Sequence, residues 1–338
     1  MAKISDIAAQ CNVSVATVSY VLNGKGREKR ISTAMQEKVF AAAQELGYRQ
    51  RKLIGETMRL TIAVYWPRGN LDTMIISLLA GIDKNLSNET VPIDMMIRTY
   101  ELGNISEQRE SLQTLSCDAC VIFGADKEDV HFLEEHPTAM PAVLINRSIP
   151  GYSSVMVDDV ESGRLMAAHA VAKGKGDLAL ILSSSPTYWT VEARSKAIIS
   201  YCGEHGISLE GRIFYCQKDI DGGYELGWDM VRSGKLPKVI MCLNDMVGLG
   251  MMSALNEAGL QIGKQIELLS IATSDARLFA RSYPAMTVID WRMNEVWEKA
   301  LKMSIDLASH RISSPQEILM HPQIIYRKSS PIEQFPTM

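Results

Sequence analysis

What the chain lacks already narrows its function. No apolar run approaches the roughly 18 residues a membrane span needs. The start, Met1-Ala2-Lys3 followed by Ile4-Ser5-Asp6, has no continuous apolar stretch of the kind a secretory signal uses, so a cytoplasmic location is expected. No G-x-x-x-x-G-K-[ST] run is present to cradle nucleotide phosphates, and no G-x-S-x-G turn to present a nucleophilic serine. Gly174-Lys175-Gly176 reads instead as a turn from helix to strand. The six histidines show no H-E-x-x-H or other metal spacing. These absences argue against an enzyme, and neither a metal nor a cofactor is expected. Cysteine is scarce and scattered (Cys11, Cys117, Cys120, Cys202, Cys216, Cys242), which in a reducing compartment excludes a disulfide framework. Cys117-x-x-Cys120 lacks a second ligand pair, and Cys120 opens the apolar run to Phe123, so both read as core or strand-edge residues.

The 338 residues suggest about two domains at roughly 150 residues each. With 46% apolar residues the chain can bury sizeable cores. Nineteen methionines, mostly in apolar runs, read as core filling. The formal net charge of −4 is an average over unlike parts. Residues 1–60 hold ten Lys and Arg against five Asp and Glu, a charge of +5, and the remainder holds 25 against 34, a charge of −9. A basic module attracts a polyanion by releasing its condensed counterions.

Within that basic head the spacing predicts three short helices. Ser5 is the expected cap of a first helix through Ile7-Ala8-Ala9-Gln10, with Asn12-Val13 as the turn. Ser14 caps a second, Val15 to about Leu22, which Asn23-Gly24 stops. A third starts near Ser32-Thr33, with Thr33 and Gln36 spaced as a capping box, Val39, Phe40, Ala43 and Leu46 at helical spacing, and Gly47 as a C-cap. Val13, Val18, Val21 and Leu22 supply the inner face. Val15, Ala16 and Tyr20 fall outside it, as the base-reading residues of a recognition helix do. Val15 and Ala16 suit thymine methyls and the Tyr20 hydroxyl a base edge or phosphate, whereas Ser14, Thr17 and Ser19 suit phosphates. An ordinary three-helix interaction module is the other reading this pattern allows.

From Leu60 the chain alternates between strand-like runs (60–66, 93–98, 119–123, 142–146, 178–182, 212–215, 239–243, 268–272) and helical stretches (73–88, 106–115, 160–173, 189–206, 222–233, 245–259). Such alternation predicts an α/β body of right-handed βαβ units with parallel sheets. Eight strands with a break near 158 fit two doubly wound lobes, with ligands in a crevice at the carboxyl ends of the strands.

Several motifs together carry a resemblance. The head contains Ile4-x-Asp6-Ile7-Ala8, Val13-Ser14-Val15-Ala16-Thr17-Val18-Ser19, Val21-Leu22-Asn23-Gly24 and Glu45-Leu46-Gly47-Tyr48. The body contains Asn244-Asp245-Met246-Val247-Gly248-Leu249-Gly250, Glu257-Ala258-Gly259-Leu260, Ile266–Asp275, Pro284–Ile289 and a late strand at Ile324–Lys328. In these the chain resembles the LacI/GalR family of bacterial transcription regulators over nearly its whole length. The resemblance implies an all-α helix-turn-helix DNA-binding head at 1–48, a hinge at 49–59, and a two-lobed periplasmic-binding-protein-like core at 60–338. The N-lobe would comprise about 60–158 and 291–320, and the C-lobe about 159–290 and 321–338, with crossovers near 158, 290 and 320. It implies a homodimer on a pseudo-palindromic double-stranded operator, acting as a repressor under the control of a small-molecule effector bound between the lobes.

Residue by residue, the resemblance assigns DNA contacts to Ser14, Val15, Ala16, Thr17, Ser19, Tyr20, Asn23, Tyr48, Arg51 and Lys52. Tyr20 stands where most members carry Arg or His, which implies a different half-site at that base. In the hinge the family's proline and alanine-rich run is missing, and Thr57 sits where a leucine that wedges the minor groove is expected. Gly55 weakens a helix there by about 1 kcal/mol relative to Ala, and Met58 and Ile54 both remain candidates for the wedge. The resemblance places Trp66, Thr73, Met74, Asn146, Arg147, Tyr188, Thr190, Arg194, Lys218, Asn244 and Ser274 in the cleft. Arg194 takes the position of an Arg that holds ligand oxygens. Ser274 replaces a common aspartate and Lys218 a common aromatic ring, so the cleft gains positive charge and an anionic sugar derivative is the expected effector. The competing readings are a soluble sugar-binding module without operator recognition and, more remotely, a sugar-converting α/β enzyme.

Overall fold

The computed structural model describes residues 4–22, 26, 29–46, 53–54, 57–68, 74–87, 89, 91–114, 116–174, 176–183, 189–313 and 315–332. The chain divides into two compact units, Met1–Thr61 with Val91–Asp94, and Ile62–Thr90 with Met95–Met338.

The first unit contains α1 (Ile4–Cys11), α2 (Val15–Leu22) and α3 (Thr33–Glu45), followed by β1 (Leu53–Ile54) and β2 (Thr57–Met58). Ile7, Val18, Val21 and Val39 are sealed in its core with Ala8, Cys11, Ala42 and Ala43. Asn12, at φ 58°, turns the chain from α1 to α2, and the Val13 N–H donates to the Ala8 carbonyl at 3.0 Å. Three details correct the sequence reading. Ser5 lies inside α1, which begins at Ile4. The cap of α3 is Ser32, whose Oγ accepts from the Met35 N–H at 3.3 Å, one residue before the expected Thr33; the Gln36 side chain donates instead to the Ile31 carbonyl at 2.7 Å. Phe40 and Leu46 are exposed, because the small Ala42 and Ala43 let α3 approach α1 and α2 closely. At 53–58 the backbone forms a two-residue antiparallel ladder, Leu53 opposite Met58 and Ile54 opposite Thr57.

The chain runs on, in the second unit apart from the first residues of β3 and β4, through β3 (Leu60–Pro67), α4 (Met74–Leu86), β4 (Ile93–Tyr100), α5 (Arg109–Gln113), β5 (Ala119–Phe123), α6 (Lys127–Glu135), β6 (Ala142–Ile145) and β7 (Ser153–Val157). It then passes through α7 (Asp159–Gly174), β8 (Leu178–Ser183), α8 (Trp189–Glu204), β9 (Ile213–Cys216), α9 (Ile220–Ser233), β10 (Val239–Cys242), α10 (Asp245–Glu257), β11 (Glu267–Ala272) and β12 (Thr287–Asp290). It ends with α11 (Met293–Ala308), β13 (Glu317–Met320) and β14 (Gln323–Ile325). Two six-stranded sheets result, in the orders β13-β7-β6-β5-β3-β4 and β14-β12-β11-β10-β8-β9. The pairs β13-β7, β7-β6, β6-β5, β5-β3, β12-β11, β11-β10, β10-β8 and β8-β9 are parallel, and β14 runs antiparallel to β12. The chain therefore passes between lobes three times, after Val157, after Asp290 and after Met320.

The core follows from strand composition. The central strands β5, β10 and β11 are buried at every residue, as continuous apolar runs require when helices cover both faces. The edge strands β4, β9 and β13 are partly exposed. The eight expected strands all form, and β7, β12, β13 and β14 bring the two sheets to twelve. Helices α6 and α11 add to those expected, and the predicted helix at 106–115 divides into a 3-10 turn at Ile105–Gln108 and the five-residue α5. All six cysteines are free thiols; burial pushes Cys117 up to about 11 and Cys120 well above its ordinary range, so neither offers a thiolate near neutral pH. Among the described residues no helix is long and apolar enough to cross a membrane.

Candidate functional site

In the head, α2 separates an anchored face from an open one. Ser14 Oγ accepts from the Thr17 N–H at 3.0 Å and shares a hydrogen bond with Thr17 Oγ1 at 2.8 Å, which fixes the first turn. Val18 and Val21 are drawn inward, while Val15 (51% exposed), Ala16 and Tyr20 (40%) stand outward. Thr17 and Ser19 are half-buried, and the Lys29 ammonium lies 5.4 Å from the centre of the Tyr20 ring. A tie between Gln10 and Glu45 at 2.6 Å joins α1 to α3. Asn23, Tyr48, Arg51 and Lys52 lie outside the described residues.

In the body the polar residues gather at the carboxyl ends of the strands. Asn146, after β6, sits at φ 58°, and its Oδ1 accepts from the Val157 N–H at 2.9 Å. Its neighbour Arg147 is buried and donates to the Asn146 carbonyl. Arg194, on α8, is buried against Asp159 at 3.2 Å, with its guanidinium 4.4 Å from the centre of the Trp291 ring. Burial pushes the Asp159 carboxyl up to about 6, against the opposing pull of Arg194 and Arg147, and burial also lowers Arg194. Trp66 is fully buried, stacked on Trp297 at 5.6 Å and tilted against Phe123 at 4.9 Å. The indole N–H groups of Trp66, Trp291 and Trp297 have no hydrogen-bond partner among the described residues.

Asn244 and Ser274 both serve the start of α10. Asn244 Oδ1 accepts from the Met246 and Val247 N–H groups at 3.0 and 3.1 Å. Ser274 donates from Oγ to Asp245 at 2.8 Å, and the same carboxylate takes the Thr273 and Ser274 N–H groups. Met74 is half-buried at the start of α4, and Lys218 is exposed just before Asp219, the cap of α9. Thr73, Tyr188 and the side chain of Thr190 lie outside the described residues. The structure therefore brings Arg147 and Arg194 around one carboxylate, and Asn244 and Ser274 around another. Asp159, Asp245 and Trp291 are the residues that sequence reasoning missed. Two of them begin helices directly after strands, and that position was the available signal.

Among the described residues one group has metal-ligand spacing, Asp158, Glu161 and His321. Its members are already partnered: His321 Nδ1 pairs with Glu161 at 2.6 Å, and Asp158 accepts from the Glu161 N–H at 2.8 Å.

Residues 3–50 match the model for bacterial regulatory proteins of the lacI family, and residues 167–330 the periplasmic binding protein-like domain. The HTH-type transcriptional repressor PurR of Pasteurella multocida (strain Pm70) is 23% identical, over 97% of this chain and 98% of that protein. The HTH-type transcriptional regulator GalR of Escherichia coli (strain K12) is 23% identical, over 97% of this chain and 96% of that protein. The crystal structure of a LacI family transcription regulator from Clostridium acetobutylicum superposes with a TM-score of 0.74 at 25% identity, covering 79% of this chain and 99% of that one. The matched head argues against a sugar-binding module that lacks operator recognition. With a helix-turn-helix head and a two-lobed parallel-sheet body in one chain, the protein belongs to the LacI/GalR family of bacterial transcription regulators.

Proposed function

We propose that the protein represses transcription from a pseudo-palindromic operator, which it binds as a homodimer, and that an anionic sugar derivative held between its lobes controls that binding. The observation that carries the reading is α2, a capped helix whose inner face is locked by Val18 and Val21 and whose outer face offers Val15, Ala16 and Tyr20. Val15 and Ala16 meet thymine methyls and Tyr20 a base edge; Ser14, Thr17, Ser19, Asn23, Tyr48, Arg51 and Lys52 hold the backbone. The effector lies against Asn146, Arg147 and Arg194, with Thr73, Met74, Tyr188, Thr190, Lys218, Asn244 and Ser274 around it and Trp66 behind. It changes operator affinity only by binding the two lobe arrangements unequally. The protein acts in the cytoplasm without catalysis or a cofactor.

The test is selection of DNA from a random duplex library by the purified protein, followed by gel shift of the selected site with and without a panel of sugars and sugar anions. The expected outcome is an enriched two-fold-symmetric site whose binding changes with one anionic member. Failure to enrich any sequence over random duplex overturns the reading.

A further inference from the structure

We propose that Lys29 is a positioning residue for operator reading: its ammonium, seated over the Tyr20 ring, holds that ring so that the hydroxyl meets one base edge, and the two residues read the base as a unit. The inference rests on the operator reading above. It deepens that reading by naming a specificity-determining residue outside the recognition helix, on the loop between α2 and α3.

The recognition helix has no charge of its own. From Val15 to Leu22 it carries no Asp, Glu, Lys, Arg or His, so nothing on α2 holds the Tyr20 ring electrostatically. Tyr20 is exposed on the outer face, and its hydroxyl makes no hydrogen bond among the described residues. An exposed tyrosine turns about two side-chain bonds, so its hydroxyl sweeps several positions and serves several base edges equally. Lys29 restricts that sweep. Its Nζ lies 5.4 Å from the ring centre, within the range in which the ring quadrupole attracts a cation. The negative face of the ring takes the ammonium, which leaves the hydroxyl, in the ring plane, for the groove.

At an exposed surface the attraction between such a pair is weak against the rotamer freedom that a lysine gives up, so the loop has to place the cation. It does so through its backbone. The Ile31 N–H donates to the Gly26 carbonyl at 2.9 Å and closes the turn that contains Lys29 and Arg30. Arg30 takes φ 52°, a left-handed conformation that bends the chain at that point. Gln36 on α3 donates to the Ile31 carbonyl at 2.7 Å, and its side chain packs on the buried Gly26, where a Cβ would stand 2.6 Å from Cδ. Ile31 itself packs against the core of the head. Lys29 therefore sits two residues from a core anchor, on a turn tied to α3, while α2 sets the ring. Operator DNA closing over the pair excludes water and strengthens the contact, at the moment when the base is read. In sequence the loop carries Lys25, Arg27, Lys29 and Arg30 against Glu28, which favours approach to phosphates; of these, the structure places Lys29 at the ring.

The experiment uses the full-length protein as wild type, Tyr20→Ala, Lys29→Met, Lys29→Arg and the variant carrying both Tyr20→Ala and Lys29→Met. Each is measured on the selected operator and on every single-base change made in both half-sites, at two salt concentrations. Tyr20→Ala lowers discrimination at one base position. Lys29→Met keeps an apolar stem and removes the charge; it lowers discrimination at that same position by about fivefold, the range of a cation–π contact, and leaves the ranking at the other positions unchanged. The double variant discriminates there as Tyr20→Ala alone does, because the two residues act as one. Lys29→Arg keeps most of the discrimination, since a guanidinium also stacks on a ring. Uniform weakening of every site by Lys29→Met, with a salt slope shallower by about one per head, marks a phosphate contact and overturns the proposal. Additive losses in the double variant, or a Tyr20→Ala ranking identical to that of the wild type, overturn it as well. A ranking that Tyr20→Ala changes and Lys29→Met leaves intact overturns this proposal and keeps the operator reading; selection that enriches no sequence overturns both.

Discussion

Val15, Ala16 and Tyr20 are exposed because the residues between them are not. Val18 and Val21 are sealed in the core of the head, which fixes the rotation of α2 about its axis. Three substitutions separate the roles. Val18→Ala removes two buried methyl groups and should destabilise the head by about 2 kcal/mol in denaturant unfolding. Ser14→Ala loses the cap that holds the Thr17 N–H, a cost of about 1 kcal/mol. Tyr20→Ala changes neither packing nor cap, and should alter the ranking of half-sites in a binding panel; Arg51→Ala should weaken all sites alike and flatten the salt dependence. Equal losses for Tyr20→Ala and Arg51→Ala across the panel would contradict the assignment of bases to the first and phosphates to the second.

At the scale of elements, α9 and α10 pack with unusual intimacy because each presents glycines to the other. A Cβ built on Gly250 meets the Ile220 carbonyl and the Tyr224 nitrogen, and one on Gly223 meets the Val247 backbone. Backbone cannot rotate away as a side chain can, so Gly250→Ala should separate the helices and cost about 2 kcal/mol or more in thermal unfolding. Gly259→Ala is a poor control because that glycine has a positive φ; Gly203→Ala, which meets nothing within 4 Å, is the suitable one and should be near neutral. The same contrast explains what the sequence disclosed. The central strands were legible because full burial makes them continuous apolar runs, and α2 because its cap and turn are local. By contrast, β13 is only four residues long and partly exposed, and pairing with β7 across a long stretch of chain makes it a strand. The short, mostly charged α6 is started by the reciprocal Asp126 and Asp129 box, and only Val130, Phe132 and Leu133 pack it on the core. Arg147 and Arg194 were named from the resemblance, but their meeting with Asp159 and Trp291 was hidden, because these residues come from different elements brought together through the crossovers.

At the scale of the whole chain, the charge of −4 separates into a basic head suited to a polyanion and an acidic body that discourages non-specific retention on DNA. Two histidines contribute to the body's response to pH with opposite sign, beside the raised Asp159 carboxyl. His321 follows β13 at the third passage between lobes, and its ion pair with Glu161 ties that passage to α7 and holds the imidazole pKa above its usual value. The stabilisation from this pair is therefore complete below about 6.5, the ordinary histidine value, and is lost as pH rises through the higher folded value. His169 is buried on α7 beside Ser330 at 2.7 Å, and burial holds its pKa below the usual value. Its contribution has the other sign: present above about 6.5 and lost as pH falls through the depressed folded value. His321→Asn should flatten the loss of melting temperature on the alkaline side of 6.5 and leave the acid side unchanged. His169→Asn should flatten the acid side while lowering stability at every pH, because a shorter amide cannot both fill the ring's space and reach Ser330. Melting curves of the wild type and both variants from pH 5 to 9 check this. An alkaline slope of unchanged size in His321→Asn, compared with the wild type, would mean that the pair does not couple the third passage to α7.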